Sequence, residues 1–98
     1  MAHTCHAVNC DRNVPPLMHM CGPHWSMVPR HLKAALRRAY RPGQEQRMDP
    51  TAGYLRCAAA TVKAVAEAEG QPASDIEFEV GLYLSWADQI ADPEEDDT

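Results

Sequence analysis

The feature that most restricts this chain is the run Cys5-x4-Cys10-x10-Cys21-x2-His24, three sulfurs and one imidazole in two close pairs near the start of 98 residues. Two short-range pairs are how a chain closes a tetrahedral shell around zinc, for which thiolate and imidazole are the usual ligands. Residues three apart, such as Cys21 and His24, reach one ion from a tight turn or from the first turn of a helix, and Gly22-Pro23 favours such a turn. Four filled positions leave no place for an activated water. The spacing therefore predicts one structural Zn2+ ion held by Cys5, Cys10, Cys21 and His24, with His3, His6 and His19 as possible substitutes for one ligand. The plainer reading is a set of reduced, partly buried cysteines beside an ordinary histidine. Cys57 has no cysteine or histidine near it in sequence and is expected to act as a small hydrophobe.

A metal staple also answers a shortage. Apolar residues make up 45% of the chain, yet they include one Phe, two Trp and three Tyr, with Ala supplying much of the rest. A core that thin gains from a metal cross-link. Residues 1–27 hold three of the four cysteines, four of the five histidines and the Pro15-Pro16 pair, with no sustained periodicity. They read as a loop-rich zinc knuckle, with 14–20 forming a turn or hairpin and a helix just downstream, an order similar to a treble clef.

Helical spacing takes over after the knuckle. Leu32, Ala35, Leu36, Ala39 and Tyr40 follow Pro29 and end at Arg41-Pro42-Gly43, which predicts a helix over 29–41. Asp49-Pro50 reads as an N-cap with proline in the first turn, opening a second, Ala-rich helix that Gly70 ends after Glu69. The segment after Gln71-Pro72 fits both a strand and a helix, but Ser74-Asp75-Ile76-Glu77 has the form of a capping box. A third helix is expected over 75–91. The fold class is thus mainly α, a treble-clef-like zinc knuckle followed by three helices, in one domain over 1–92 (knuckle 1–27, helical part 28–92). The acidic tail 93–98 has nothing apolar to bury and is expected to be disordered.

Charge is divided along the chain. Residues 1–56 carry eight Lys/Arg against three Asp/Glu, and residues 57–98 carry one against eleven, for a net charge of −5. Arg30, Lys33, Arg37 and Arg41 fall along one side of the first helix, a stripe that can track phosphates, although no pattern of interleaved aromatics strengthens that reading. A solvated face paired with the acidic half is the plainer reading. Glu77, Glu79 and Asp88 form an acidic surface with no neighbouring base or nucleophile, so no enzyme is expected. A His-Asn-His nuclease frame is disfavoured because His24 is already used as a ligand. Trp25, next to that ligand, is expected to shield the metal and pack on Leu32 or Leu36. No basic leader followed by an apolar run is seen at the N-terminus, and no apolar stretch reaches membrane-spanning length. The expectation is a soluble cytoplasmic protein without membrane contact.

The pieces Cys5-His6-Ala7-Val8-Asn9-Cys10, Val14-Pro15-Pro16-Leu17-Met18-His19-Met20-Cys21-Gly22-Pro23-His24-Trp25 and Tyr40-Arg41-Pro42-Gly43-Gln44, and more weakly Tyr54-Leu55, resemble small proteins encoded by bacteriophages and prophages. The resemblance covers about residues 5–56. It departs from those relatives at Gly22-Pro23, where a basic residue is usual, and between Leu36 and Ala39, where an aromatic precedes the tyrosine. It implies a setting in the cytoplasm of a host cell but no activity. Two functions fit that setting. One is an accessory protein that binds and modulates a host protein through Glu77, Glu79 and Asp88, for example as an inhibitor of a CRISPR-type defence system. The other is a nucleic-acid-binding regulator using Arg30, Lys33, Arg37 and Arg41. The chain is expected to be a monomer or homodimer, with Tyr83 and Trp86 assigned by default to its own core.

Overall fold

In the computed structural model, residues 3–15, 18–41 and 50–90 are described. The protein is mainly helical: α1 (Gly22–Ser26), α2 (Arg30–Ala39), α3 (Ala52–Glu69) and α4 (Ala73–Ile90) follow a two-stranded antiparallel pairing of β1 (His3–Thr4) with β2 (Asn13–Val14). The pairing sets His3 opposite Val14 and Thr4 opposite Asn13, and Cys5 N–H extends it by donating to Arg12 O at 2.8 Å. The short β pairing therefore closes the loop that carries Cys5 and Cys10. It lies earlier than the turn or hairpin expected over 14–20, of which Pro16 and Leu17 fall outside the described residues.

Local sequence explains the helix ends. Pro29 stands in the N-cap position of α2, and its carbonyl accepts from the N–H groups of Leu32 and Lys33. For α3 the expected cap was Asp49, which lies outside the described residues. Thr51 fills that position, its hydroxyl oxygen accepting from Tyr54 N–H at 3.0 Å. Gly70, at φ 73°, ends α3 in the left-handed conformation that glycine adopts without side-chain strain. There Gly70 N–H donates to Glu67 O and Gln71 N–H to Ala66 O, which satisfies carbonyls that the helix end would leave open.

Helix α4 follows after Gly70, Gln71 and Pro72, so α3 and α4 form an antiparallel hairpin. It begins at Ala73, before the expected box. The carbonyl of Pro72 accepts from Asp75 and Ile76 N–H, both at 3.1 Å, and Ser74 sits inside the first turn rather than at the cap. The box pattern is met in sequence, but the helix has already started.

Small side chains let the hairpin close. Ala52, Leu55, Ala58, Ala59, Thr61, Val62, Val65 and Ala66 of α3 are buried, and α4 answers with half-buried Ile76, Val80 and Tyr83 and with buried Ala87. Alanine costs almost no side-chain entropy on ordering, so a close helix pair gains contact cheaply. Val62, Val65 and Ala66 share one buried cluster with Cys5, Ala7, Val8, Val14, Met20, Cys21 and Val28. The knuckle is therefore docked on the C-terminal half of α3. A second cluster joins Ala52 and Leu55 to Ala87 near the other end of the hairpin.

Candidate metal centre

Cys5 and Cys10 belong to a tight loop in which Cys10 N–H donates to Ala7 O at 3.2 Å and Asn9 takes φ 62°. Asparagine tolerates that left-handed conformation better than bulkier residues. Its side-chain amide donates to Gln71 Oε1 at 2.9 Å and to Asp75 Oδ2 at 3.0 Å, which ties the loop to the turn between α3 and α4. The second pair comes from the start of α1. Cys21 is its N-cap residue, Pro23 stands in the first turn, and Trp25 N–H donates to Cys21 O at 2.8 Å. One helical turn thus places His24 beside Cys21, as the spacing predicts.

The four side chains converge. One ligand atom from each of Cys5, Cys10, Cys21 and His24 lies within 4.8 Å of all the others. His24 Nδ1 is 3.1 Å from Cys21 Sγ and 3.6 Å from Cys5 Sγ. Around a tetrahedral zinc with Zn–S about 2.3 Å and Zn–N about 2.0 Å, neighbouring ligand atoms lie roughly 3.5–3.8 Å apart. The observed spacings are on that scale, so the donor set is suited to one metal ion.

Hydrogen bonds prepare the donors. Backbone N–H groups of Cys21 and Ala7 point at Cys5 Sγ from 3.2 and 3.5 Å, an arrangement that favours a thiolate. Without an ion, burial dominates at Cys5 and pushes its thiol up to about 11. At Cys21 burial also acts upward, but the backbone N–H of His24, the Cys5 thiol and the His24 ring outweigh it and bring the thiol down to about 7.

His24 has a partner that its sequence neighbourhood does not reveal. Its Nε2 lies 2.7 Å from Glu69 Oε2. A carboxylate accepts, so Nε2 carries the proton and Nδ1 turns its lone pair toward the sulfurs, a pairing common behind metal-bound histidines. Burial alone would lower the His24 pKa, but the Glu69 carboxylate and the Cys21 sulfur raise it. Glu69 is the last residue of α3, and the only sequence signal for it is its place beside Gly70.

The substitute ligands go elsewhere. His19 Nε2 is 2.8 Å from Thr61 Oγ1, which itself donates to Ala58 O at 2.7 Å. The threonine proton is thereby used, so His19 Nε2–H is the donor, and His19 is not among the four residues whose ligand atoms cluster. The His6 ring stacks on His19, with centroids 5.1 Å apart, and Tyr83 meets both rings edge-on. His3 is described only by its backbone in β1. Cys57 lies half-buried on α3, outside the cluster.

The two charged surfaces separate. Arg30, Lys33 and Arg37 lie on α2 with Arg41 just beyond it, and among the described residues no ion pair joins Arg30, Lys33 or Arg37 to the acidic half. The only ion pair described is that of His24 with Glu69. The expected pairing with the acidic half is therefore absent for Arg30, Lys33 and Arg37 among the described residues. Lys33 Nζ instead stands 5.4 Å from the centre of the Trp25 ring. Trp25 and Leu32 both pack against the knuckle core, and Trp25 also lines a cleft with Leu36.

Glu77 and Asp88 are exposed on α4 and Glu79 is half-buried. Between them the helix shows a large apolar stripe: Phe78 is 66% exposed, Leu82 53% and Trp86 37%. The default assignment of Trp86 to the core is thus corrected, while Tyr83 does face inward. The tail 93–98 lies outside the described residues, and no described helix is long and apolar enough to cross a membrane. Comparison with family models, with curated proteins and with solved structures gave no match.

Proposed function

We propose that this protein is a zinc-stabilised, non-enzymatic binding module that docks on a basic, partly apolar surface of a protein partner through α4. The observation that carries the reading is the exposed row Phe78, Leu82 and Trp86, spaced four residues apart on a helix that contains Asp75, Glu77, Glu79 and Asp88 and no Lys or Arg. An apolar stripe ringed by one sign of charge supplies anchoring from the large side chains and selection of a basic partner from the carboxylates. The core-facing residues of α4 lie on its other side, so the helix can be held by α3 while its outer face is offered.

The donor set supports zinc as the ion. Three cysteine sulfurs and a histidine, already grouped and largely withdrawn from solvent, match its structural sites and leave no coordination position for chemistry. The first pair in a loop closed by a short β pairing and the second at a helix start support a treble-clef-like description. Within one domain, the staple would fix the α3–α4 turn through Glu69 and Asn9 and so fix the presentation of α4.

The resemblance to phage-encoded proteins supports a host protein in the cytoplasm as the partner. A surface that mimics nucleic-acid charge competes for a basic channel, which is how a defence nuclease of CRISPR type would be inhibited. The test is capture from bacterial lysate with the zinc-loaded protein and two variants. Phe78→Ala/Trp86→Ala and Glu77→Lys/Glu79→Lys/Asp88→Lys are each expected to lose the same captured protein, while Arg37→Ala/Arg41→Ala keeps it. Retention by both α4 variants, with helicity and zinc content intact, would reject the reading.

A further inference from the structure

A second binding site lies on the other charged surface, and it is independent of the α4 reading. The turn before α1, α1 itself, α2 and the first turn of α3 enclose an open cleft of about 430 Å³. Met20, Trp25, Leu36, Tyr40 and Tyr54 form its walls and Arg37 stands among them. Tyr40 and Tyr54 meet at a tilt of 58°, with ring centres 6.1 Å apart, so the two rings bound the cleft from different directions. Cavities that hold small ligands are of this size and this mixture, mostly apolar with a few polar groups.

The surroundings of the cleft select the ligand. Residues 30–41 hold Arg30, Lys33, Arg37, Arg38 and Arg41 and no acidic residue. Arg30, Lys33, Arg37 and Arg38 have no acidic partner among the described residues. Arg37 and Arg41 stand one turn apart, and Lys33, one turn before Arg37, covers the Trp25 ring. An aromatic-walled cleft beside Arg30, Lys33, Arg37 and Arg38, cations with no acidic partner among the described residues, matches a group with a flat apolar face and an attached anion. A nucleobase with its phosphates has that chemistry.

We propose that this cleft takes an unstacked base of a single-stranded nucleic acid, with the neighbouring phosphates lying along Arg30, Arg37, Arg38 and Arg41. The base must leave its stack to enter, so a single strand is favoured over a duplex. Sequence alone does not show the site. Its aromatic residues come from three separate segments, and of Trp25, Tyr40 and Tyr54 only Tyr40 falls within the stripe from Arg30 to Arg41. Folding brings Trp25, Tyr40 and Tyr54 to the side of Arg37.

The experiment is a titration of the zinc-loaded full chain with a short fluorescein-labelled single-stranded DNA, read by anisotropy over a range of salt. A duplex, an abasic strand of the same length and a mononucleotide are titrated in parallel. The expected result is salt-dependent binding of the strand, with affinity falling about tenfold or more for the abasic strand and for Arg37→Glu, and weaker binding of the duplex. In a Trp86→Phe background, the strand is also expected to quench the remaining tryptophan, Trp25. Circular dichroism and zinc content show whether Arg37→Glu is folded. A strand that fails to bind at low salt, or binds equally when abasic, would overturn the proposal. So would a mononucleotide that matches the strand, because the cleft would then belong to a small ligand, and so would unchanged affinity in folded Arg37→Glu.

Discussion

The knuckle and the helical hairpin are ordered by different means. In the hairpin, α3 buries Leu55, Val62 and Val65 and a run of alanines against α4, so its order comes from apolar contact. The knuckle has few regular hydrogen bonds, a two-residue β pairing and a five-residue helix. Its buried cluster includes Cys5 and Cys21, whose sulfurs face His24 rather than a packed neighbour. One region is closed by packing alone, and the other by a packed cluster together with four donors suited to one metal ion. The two meet at Val62, Val65 and Ala66, so loss of the metal should be felt in the hairpin as well.

Metal removal gives the largest separation of the two. Structural zinc contributes on the order of 10 kcal/mol of apparent folding free energy in small modules. Chelation is expected to unfold the knuckle and to lower the Tm of the hairpin, seen as partial loss of helical circular dichroism and full loss of amide protection over 3–28. A knuckle still protected under chelation would break the contrast. Next in size, Leu55→Ala removes a fully buried side chain from the cluster away from the knuckle and is expected to cost about 2–4 kcal/mol in denaturant unfolding while zinc affinity holds. Equal loss of zinc affinity would show that the regions are not separable.

Glu69→Gln sharpens the junction. It keeps the size of the side chain but removes the charge that holds the His24 proton on Nε2, and zinc affinity is expected to fall roughly 10–100-fold, measured by competition with a chelating dye. Acid should act on the same centre, because protons compete for the sulfurs. With Cys21 near 7 and Cys5 near 11 in the metal-free chain, loading at neutral pH must displace the Cys5 proton. Calorimetry in buffers of different ionisation enthalpy should therefore show proton release, and affinity should weaken steadily as pH falls. Smallest, Gly81→Ala lies within α4 with open space around the added carbon and is expected to stabilise the hairpin by about 0.5–1 kcal/mol in thermal unfolding.

Much of this was legible in the chain because it is local. The ligand spacing at Cys21 and His24 is one helical turn, Gly70 marks the end of α3, and the apolar rows of α2 and α3 follow the helical period. What was hidden is mostly long-range. Glu69 meets His24 across 45 residues, and Asn9 meets Asp75 across 66. Neither contact has a pattern that a sequence window can contain. The side of α4 that faces inward was obscured because Phe78, Leu82 and Trp86 are as apolar as Ile76, Val80 and Tyr83, so periodicity alone cannot rank the two faces. The Ser74 box pointed rightly to a helix, but the helix starts earlier, because the Pro72 carbonyl already serves its first N–H groups.

Native mass spectrometry of the untagged protein, with zinc counted by elemental analysis, tests the metal centre most directly. One zinc per chain, lost in Cys21→Ser and in His24→Ala but kept in Cys57→Ser, is the predicted result. A zinc-free chain that is nonetheless folded, or zinc that survives Cys21→Ser and leaves with Cys57→Ser, would contradict it.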